Sequence, residues 1–63
     1  MNVRNLLYMI KEHHIINHVI IKKVEKNYVK EYCKERPVTE YMKNKKVVGY
    51  TINLLYNSLV IFI

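Results

Sequence analysis

The final seventeen residues of this chain, 47–63, carry no charged side chain, whereas all sixteen charged residues lie in the first 46 positions. This uncharged tail is rich in β-branched and aromatic residues and ends in Leu-Val-Ile-Phe-Ile. Exposing so much apolar surface to water is unfavourable. The tail must therefore be buried in the protein's own core, against a partner or in a membrane.

The length of 63 residues indicates one small domain, 1–63, with a basic helical part, 1–36, and the uncharged, β-rich tail. A domain of this size buries only about 60% of the surface that its unfolded chain exposes. Cys33 is the only cysteine, so an internal disulfide cannot compensate for the small core. We therefore expect a homo-oligomer or a hetero-complex.

Helical periodicity dominates the first half of the chain. Apolar residues recur there at spacings of three and four, which predicts two helices, about 3–14 and 18–35. Asn2 is the predicted N-cap of the first helix. Arg36-Pro37 should end the second helix, because proline has no amide proton and restricts the residue before it.

Strand-like patterns follow the proline. Residues 46–54 alternate strictly between two faces, and 38–42 and 59–63 are short segments of strand character. The predicted fold is α+β, with two N-terminal helices packed on an antiparallel three-stranded meander. An all-α fold with a C-terminal apolar helix is the alternative, since several tail residues also fit helical spacing: Ile52, Leu55, Tyr56, Leu59 and Ile63.

The predicted core combines the apolar helix stripes with one face of the strands. It comprises Leu6, Leu7, Ile10, Ile21, Val24, Tyr28, Val48, Tyr50, Ile52, Leu54, Val60 and Phe62. The strand that ends at Ile63 is expected at an edge of the sheet. Unpaired backbone groups at such an edge favour dimerisation by strand addition.

The sequence contains no recognisable catalytic or cofactor-binding pattern. His14 and His18 have the spacing of two metal ligands on one helical turn, but they are weak candidates, since no Glu lies in a His-Glu-x-x-His arrangement and Asp is absent. Gly49 is the only glycine, which excludes a Gly-rich phosphate loop, and Ser58 is the only serine. We expect a protein that is not an enzyme and that holds no metal or cofactor.

Lysines provide the best functional candidate, in a chain of net charge +6. The predicted second helix presents a cationic face, which Lys43, Lys45 and Lys46 could extend; it consists of Lys22, Lys23, Lys26, Lys30 and Lys34. Such a face suits an acidic protein or the phosphates of nucleic acid, and the binding would depend strongly on salt. An A/T-rich codon bias could also produce many lysines, because Lys, Asn, Ile and Tyr supply 30 of the 63 residues.

Three functional hypotheses follow from these features. The first is a cytoplasmic regulatory or adaptor module that binds an acidic macromolecule. The second is a membrane-associated protein anchored by 47–63, although seventeen helical residues span about 25 Å of a hydrocarbon core about 30 Å thick. The third is a fragment or marginal reading frame without an independent function.

Overall fold

The computed structural model describes residues 1–13 and 16–63. The elements in chain order are α1 (Val3–His13), β1 (His18–Lys23), β2 (Tyr28–Cys33), α2 (Glu40–Lys43), β3 (Gly49–Asn53) and β4 (Ser58–Phe62). The strands form one mixed sheet in the order β2-β1-β4-β3. Its two central strands, β1 and β4, are parallel, and each pairs with its antiparallel hairpin partner on the outside. The chain is therefore a small α+β protein built from two β-hairpins that lie side by side.

Helix α1 begins with a reciprocal cap. The side-chain oxygen of Asn2 accepts a hydrogen bond of 2.9 Å from the Asn5 amide, and the Asn5 side chain accepts one of 3.1 Å from the Asn2 amide. These bonds satisfy amide groups that the first turn of a helix leaves unpaired. The predicted N-cap is confirmed, and so is the first helix as far as His13.

The core lies between α1, α2 and one face of the sheet. This covered face carries Ile21, Tyr32, Leu59 and Ile61, which are buried and occupy corresponding register positions on β1, β2 and β4. The two helices contribute the buried side chains of Val3, Leu6, Ile10 and Met42. The tail thus hides two of its apolar residues in the protein's own core.

The predicted helix over 18–35 is wrong. The structure has the hairpin of β1 and β2 there, joined by a loop at 24–27. A spacing of four residues is compatible with a strand, because it is twice the strand period, and the β-branched run from Val19 to Ile21 favours extended backbone. The apparent helical stripe was a strand pattern interrupted by a loop.

The predicted meander is also wrong, as is the all-α alternative. Residues 38–42 were expected to form a strand, but Glu40–Lys43 is a single helical turn, α2. Thr39 caps it, since its hydroxyl accepts a hydrogen bond of 3.2 Å from the Met42 amide. The two tail strands exist, within one or a few residues of the predicted bounds, but β4 is central rather than at an edge.

The core prediction is only partly correct. Burial agrees for Leu6, Ile10 and Ile21, whereas four predicted core residues are exposed: Val24, Val48, Tyr50 and Leu54. Val60 and Phe62 are half-buried on the opposite face of the sheet, because Leu59 and Ile61 point into the core instead. Alternation within β4 cannot show from sequence alone which set faces inwards, since both sets are apolar.

Candidate functional site

Three segments meet where the central strands end. The Ile63 amide donates a 2.9 Å hydrogen bond to the Lys22 carbonyl, and the Val24 amide donates one of 3.1 Å to the Ile63 carbonyl. The Val48 amide donates a 2.7 Å bond to the Phe62 carbonyl. The β1–β2 loop and the segment before β3 are therefore held against the same end of the sheet.

Five lysines lie at this end of the sheet, which we call the basic end: Lys22, Lys23, Lys26, Lys45 and Lys46. Lys45 is half-buried and the other four are exposed. Glu25, in the β1–β2 loop, is the acidic residue of the same hairpin tip. Lysines from the two halves of the chain thus lie at the same end of the sheet, although about twenty residues separate them in sequence.

An exposed aromatic ring adjoins the basic end. The Lys45 ammonium lies 4.3 Å from the centroid of the Tyr41 ring, in cation–π geometry. A side-chain hydrogen bond with Lys45 lowers the pKa of Tyr41, and the positive charges of Lys45 and Lys23 lower it further. Lysines from both segments therefore lower the pKa of Tyr41. Sequence reasoning missed this residue, although its spacing of four from Lys45 was a visible signal.

Helix α2, which carries Tyr41, is tied to α1 by charge. Arg4 forms an ion pair and hydrogen bond with the Glu40 carboxylate. Lys43 approaches the other oxygen of that carboxylate at 3.6 Å. The hydrogen bond and charge of Arg4, followed by the charge of Lys43, lower the pKa of Glu40. These contacts orient the single turn of α2 beside the basic end.

The predicted row of five lysines does not form one face. Lys22 lies on the face opposite the core, whereas Lys30 is on the covered side of the edge strand β2. Lys34 follows the far end of β2 and, with Lys43, borders a groove of about 430 Å³. The groove is otherwise lined largely by apolar side chains, among them Leu7, Ile16, Val19, Tyr32 and Val38.

The weak metal candidates are not supported as a pair. His14 lies outside the described residues, and His18 Nε2 is 3.6 Å from the Glu31 carboxylate. Cys33 donates a 3.2 Å hydrogen bond from Sγ to Glu35, which lowers the pKa of that carboxyl group. Within 1–13 and 16–63, no group of three or more potential ligands is arranged to hold a metal ion.

The uncharged tail forms β3 and β4, with the intervening loop 54–57. Neither helix in the described part of the chain is long and apolar enough to cross a membrane. The tail is thus folded as strands rather than as a helix, and membrane association stays a prediction.

The fold and site define a small α+β protein with a mixed four-stranded sheet and a cluster of lysines at one end of it. No protein-family model, curated protein or solved structure matches the chain.

Proposed function

We propose that the protein is a non-enzymatic module that binds an acidic macromolecule through its basic end, and that nucleic acid is the partner. The observation that carries this proposal is the convergence of Lys22, Lys23 and Lys26 with Lys45 and Lys46. Exposed ammonium groups at this density attract a polyanion and release its condensed counterions. We place the protein in the cytoplasm as part of the same proposal.

The chemistry of the basic end favours a phosphate backbone. Lysine is a point charge that contacts phosphate without reading sequence, whereas the usual bidentate reader of guanine is arginine. Tyr41 is exposed beside Lys45, so its ring can stack on an unpaired base while Lys45 contacts a neighbouring phosphate. The expected mode is binding of single strands with little sequence preference.

Two charge-matched double variants test where binding occurs. Lys26→Glu with Lys46→Glu changes two exposed residues of the basic end, and Lys30→Glu with Lys34→Glu changes two exposed residues outside it. Both lower the net charge from +6 to +2, so overall charge is controlled. By fluorescence anisotropy with a labelled single-stranded oligonucleotide, the first pair should weaken binding about tenfold or more, and the second much less. Equal losses would contradict a localised site.

An acidic protein is the other polyanion that the experiment must distinguish. A poly-glutamate peptide serves as competitor, because it supplies negative charge without phosphates or bases. Weak competition at equal charge concentration supports nucleic acid. Competition as strong as that of unlabelled oligonucleotide would instead assign the basic end to an acidic protein surface.

Membrane association is the second candidate, and one observation favours it. Leu54, Leu55 and Tyr56 are exposed at the tip of the β3–β4 hairpin, Leu55 by 81%. This tip lies near Asn17, whose amide donates a hydrogen bond to the Asn57 carbonyl, and hence at the opposite end of the sheet from the basic end. The lysines and the tip cannot readily contact one bilayer surface together, which ranks this candidate second. If the chain sedimented with anionic vesicles and Leu55→Asp abolished this sedimentation, membrane association would rank above nucleic-acid binding.

A further inference from the structure

We infer that the face of the sheet opposite the helices, here called the open face, is the contact surface of a symmetric dimer of this chain. By the strand register, the open face comprises His18, Ile20, Lys22, Val29, Glu31, Cys33, Gly49, Thr51, Asn53, Val60 and Phe62. Ser58 is on the same side of β4 but is already buried within the chain. Both helices pack on the other side, against Ile21, Leu59 and Ile61. The inference rests on other observations than the proposed function does, although Lys22 belongs to both surfaces.

The open face has an apolar centre and a polar rim. Ile20, Val60 and Phe62 lie on the two central strands, and Val29 beside them is 59% exposed. Charged and polar side chains surround this centre, notably Lys22, Glu31 and Thr51. A sheet face that only contacts water is normally polar, whereas an apolar centre with a polar rim is typical of protein interfaces.

The chain exposes 4839 Å², whereas a compact monomer of 7.7 kDa exposes about 4,300 Å² by the usual scaling of area with mass. This excess belongs to the whole surface, since the exposed large apolar residues include Leu54, Leu55 and Tyr56 of the β3–β4 loop as well as Val29 of the open face. The charges of the open face, rather than this area, indicate its occupant.

The charges on the open face complement a second copy of the same surface. Lys22 is at the register level of Phe62, and Glu31 is at the level of Ile20 and Val60. A two-fold axis that crosses the strands midway between these levels stacks Phe62 of one copy on Val60 of the other. The same rotation brings Lys22 towards Glu31 of the second copy, twice per dimer. An isologous interface of this kind closes without leaving a free apolar face.

Two valines of equal exposure give a matched test. Val29 is on the open face and Val24 is in the β1–β2 loop, and each side chain is 59% exposed. Sedimentation equilibrium should show that the wild-type chain dimerises in the micromolar range. Val29→Glu, which places a carboxylate near Glu31 of the second copy, should weaken the dimer about tenfold or more, and Val24→Glu should leave it unchanged. Circular dichroism confirms that each variant is folded.

A charge exchange tests the two-fold geometry itself. Lys22→Glu and Glu31→Lys should each weaken the dimer, and the double variant should restore it, because the two charges change places across the interface. A wild-type chain that stays monomeric at millimolar concentration would overturn the inference. Equal effects of Val29→Glu and Val24→Glu would also overturn it, since the dimer would then use another surface.

Discussion

Ile21 lies directly opposite Ile61 in the parallel pair of β1 and β4, and both side chains are fully buried. Forty residues separate the two in sequence, so this contact joins the charged front of the chain to the uncharged tail. The tail is hidden mainly because β4 forms the centre of the sheet beside β1. The two hairpins therefore depend on one another for their shared core.

Shortening Ile61 should destabilise the whole domain rather than the tail alone. Ile61→Val removes one buried methylene and is expected to lower the free energy of unfolding by about 0.5–1.5 kcal/mol, and Ile61→Ala by about 2–5 kcal/mol. Urea denaturation monitored by circular dichroism measures both values. Ile61→Val should still unfold in one transition. Separate transitions for the front and the tail would contradict a shared core.

Asn57 ends the β3–β4 loop with a φ angle of 49°, in the left-handed region. Asn57→Ala should lower the free energy of unfolding by about 1 kcal/mol, because a Cβ without a compensating polar group is strained there. Asn57→Gly should be neutral or stabilising. Asn27 ends the β1–β2 loop at the corresponding place without a positive φ, so Asn27→Ala is the control. Equal losses at the two positions in thermal unfolding would refute this explanation.

The ion pair between Arg4 and Glu40 should make stability depend on pH. Because the pKa of Glu40 is lowered in the folded state, its contribution is present above the ordinary value of 4.5 and is lost as the pH falls through the lowered value. Glu40→Gln should therefore be less stable than wild type near neutral pH, by a small amount at this exposed site, and the difference should vanish in acid. Thermal melts over this range, with Glu25→Gln as control, measure the effect. If the difference in stability persisted in strong acid, it would arise from packing rather than from the ion pair.

The contact of Lys45 with Tyr41 gives a local reporter of the basic end. Lys45→Gln should raise the pKa of Tyr41, because it removes the hydrogen bond and charge that lower it. Lys23→Gln should raise it less, since Lys23 contributes only its charge. Nuclear magnetic resonance of the tyrosine ring carbons across alkaline pH measures both changes. If Lys23→Gln had the larger effect, the assigned geometry would be wrong.

Local signals in the sequence predicted some elements correctly. Asn2, the regular apolar spacing of α1 and the alternation around Tyr50 are each readable from neighbouring residues, and α1, its cap and β3 are present. The hairpin of β1 and β2 was mistaken for a helix, because a four-residue spacing satisfies both periods. Pairing of β1 with β4 could not be predicted, since it depends on packing between segments forty residues apart.

The candidate site, too, could be predicted only where it depends on residues close together in sequence. Lys22, Lys23 and Lys26 were identified from local charge, and their grouping with Lys45 and Lys46 requires the hydrogen bonds that Ile63 and Val48 make at the end of the sheet. Lys30 and Lys34 shared the apparent helical row but are directed elsewhere by the strand geometry. A site formed by segments distant in sequence becomes visible only in the folded chain.

The most direct test of the proposed function is an amide chemical-shift titration of the full chain with a short single-stranded oligonucleotide. We expect shifts concentrated at 22–27, at 45–47 and at Tyr41, and these shifts should diminish as salt is raised. Shifts concentrated at 30–36, shifts spread evenly over all lysines, or no shifts at low salt would contradict binding at the basic end.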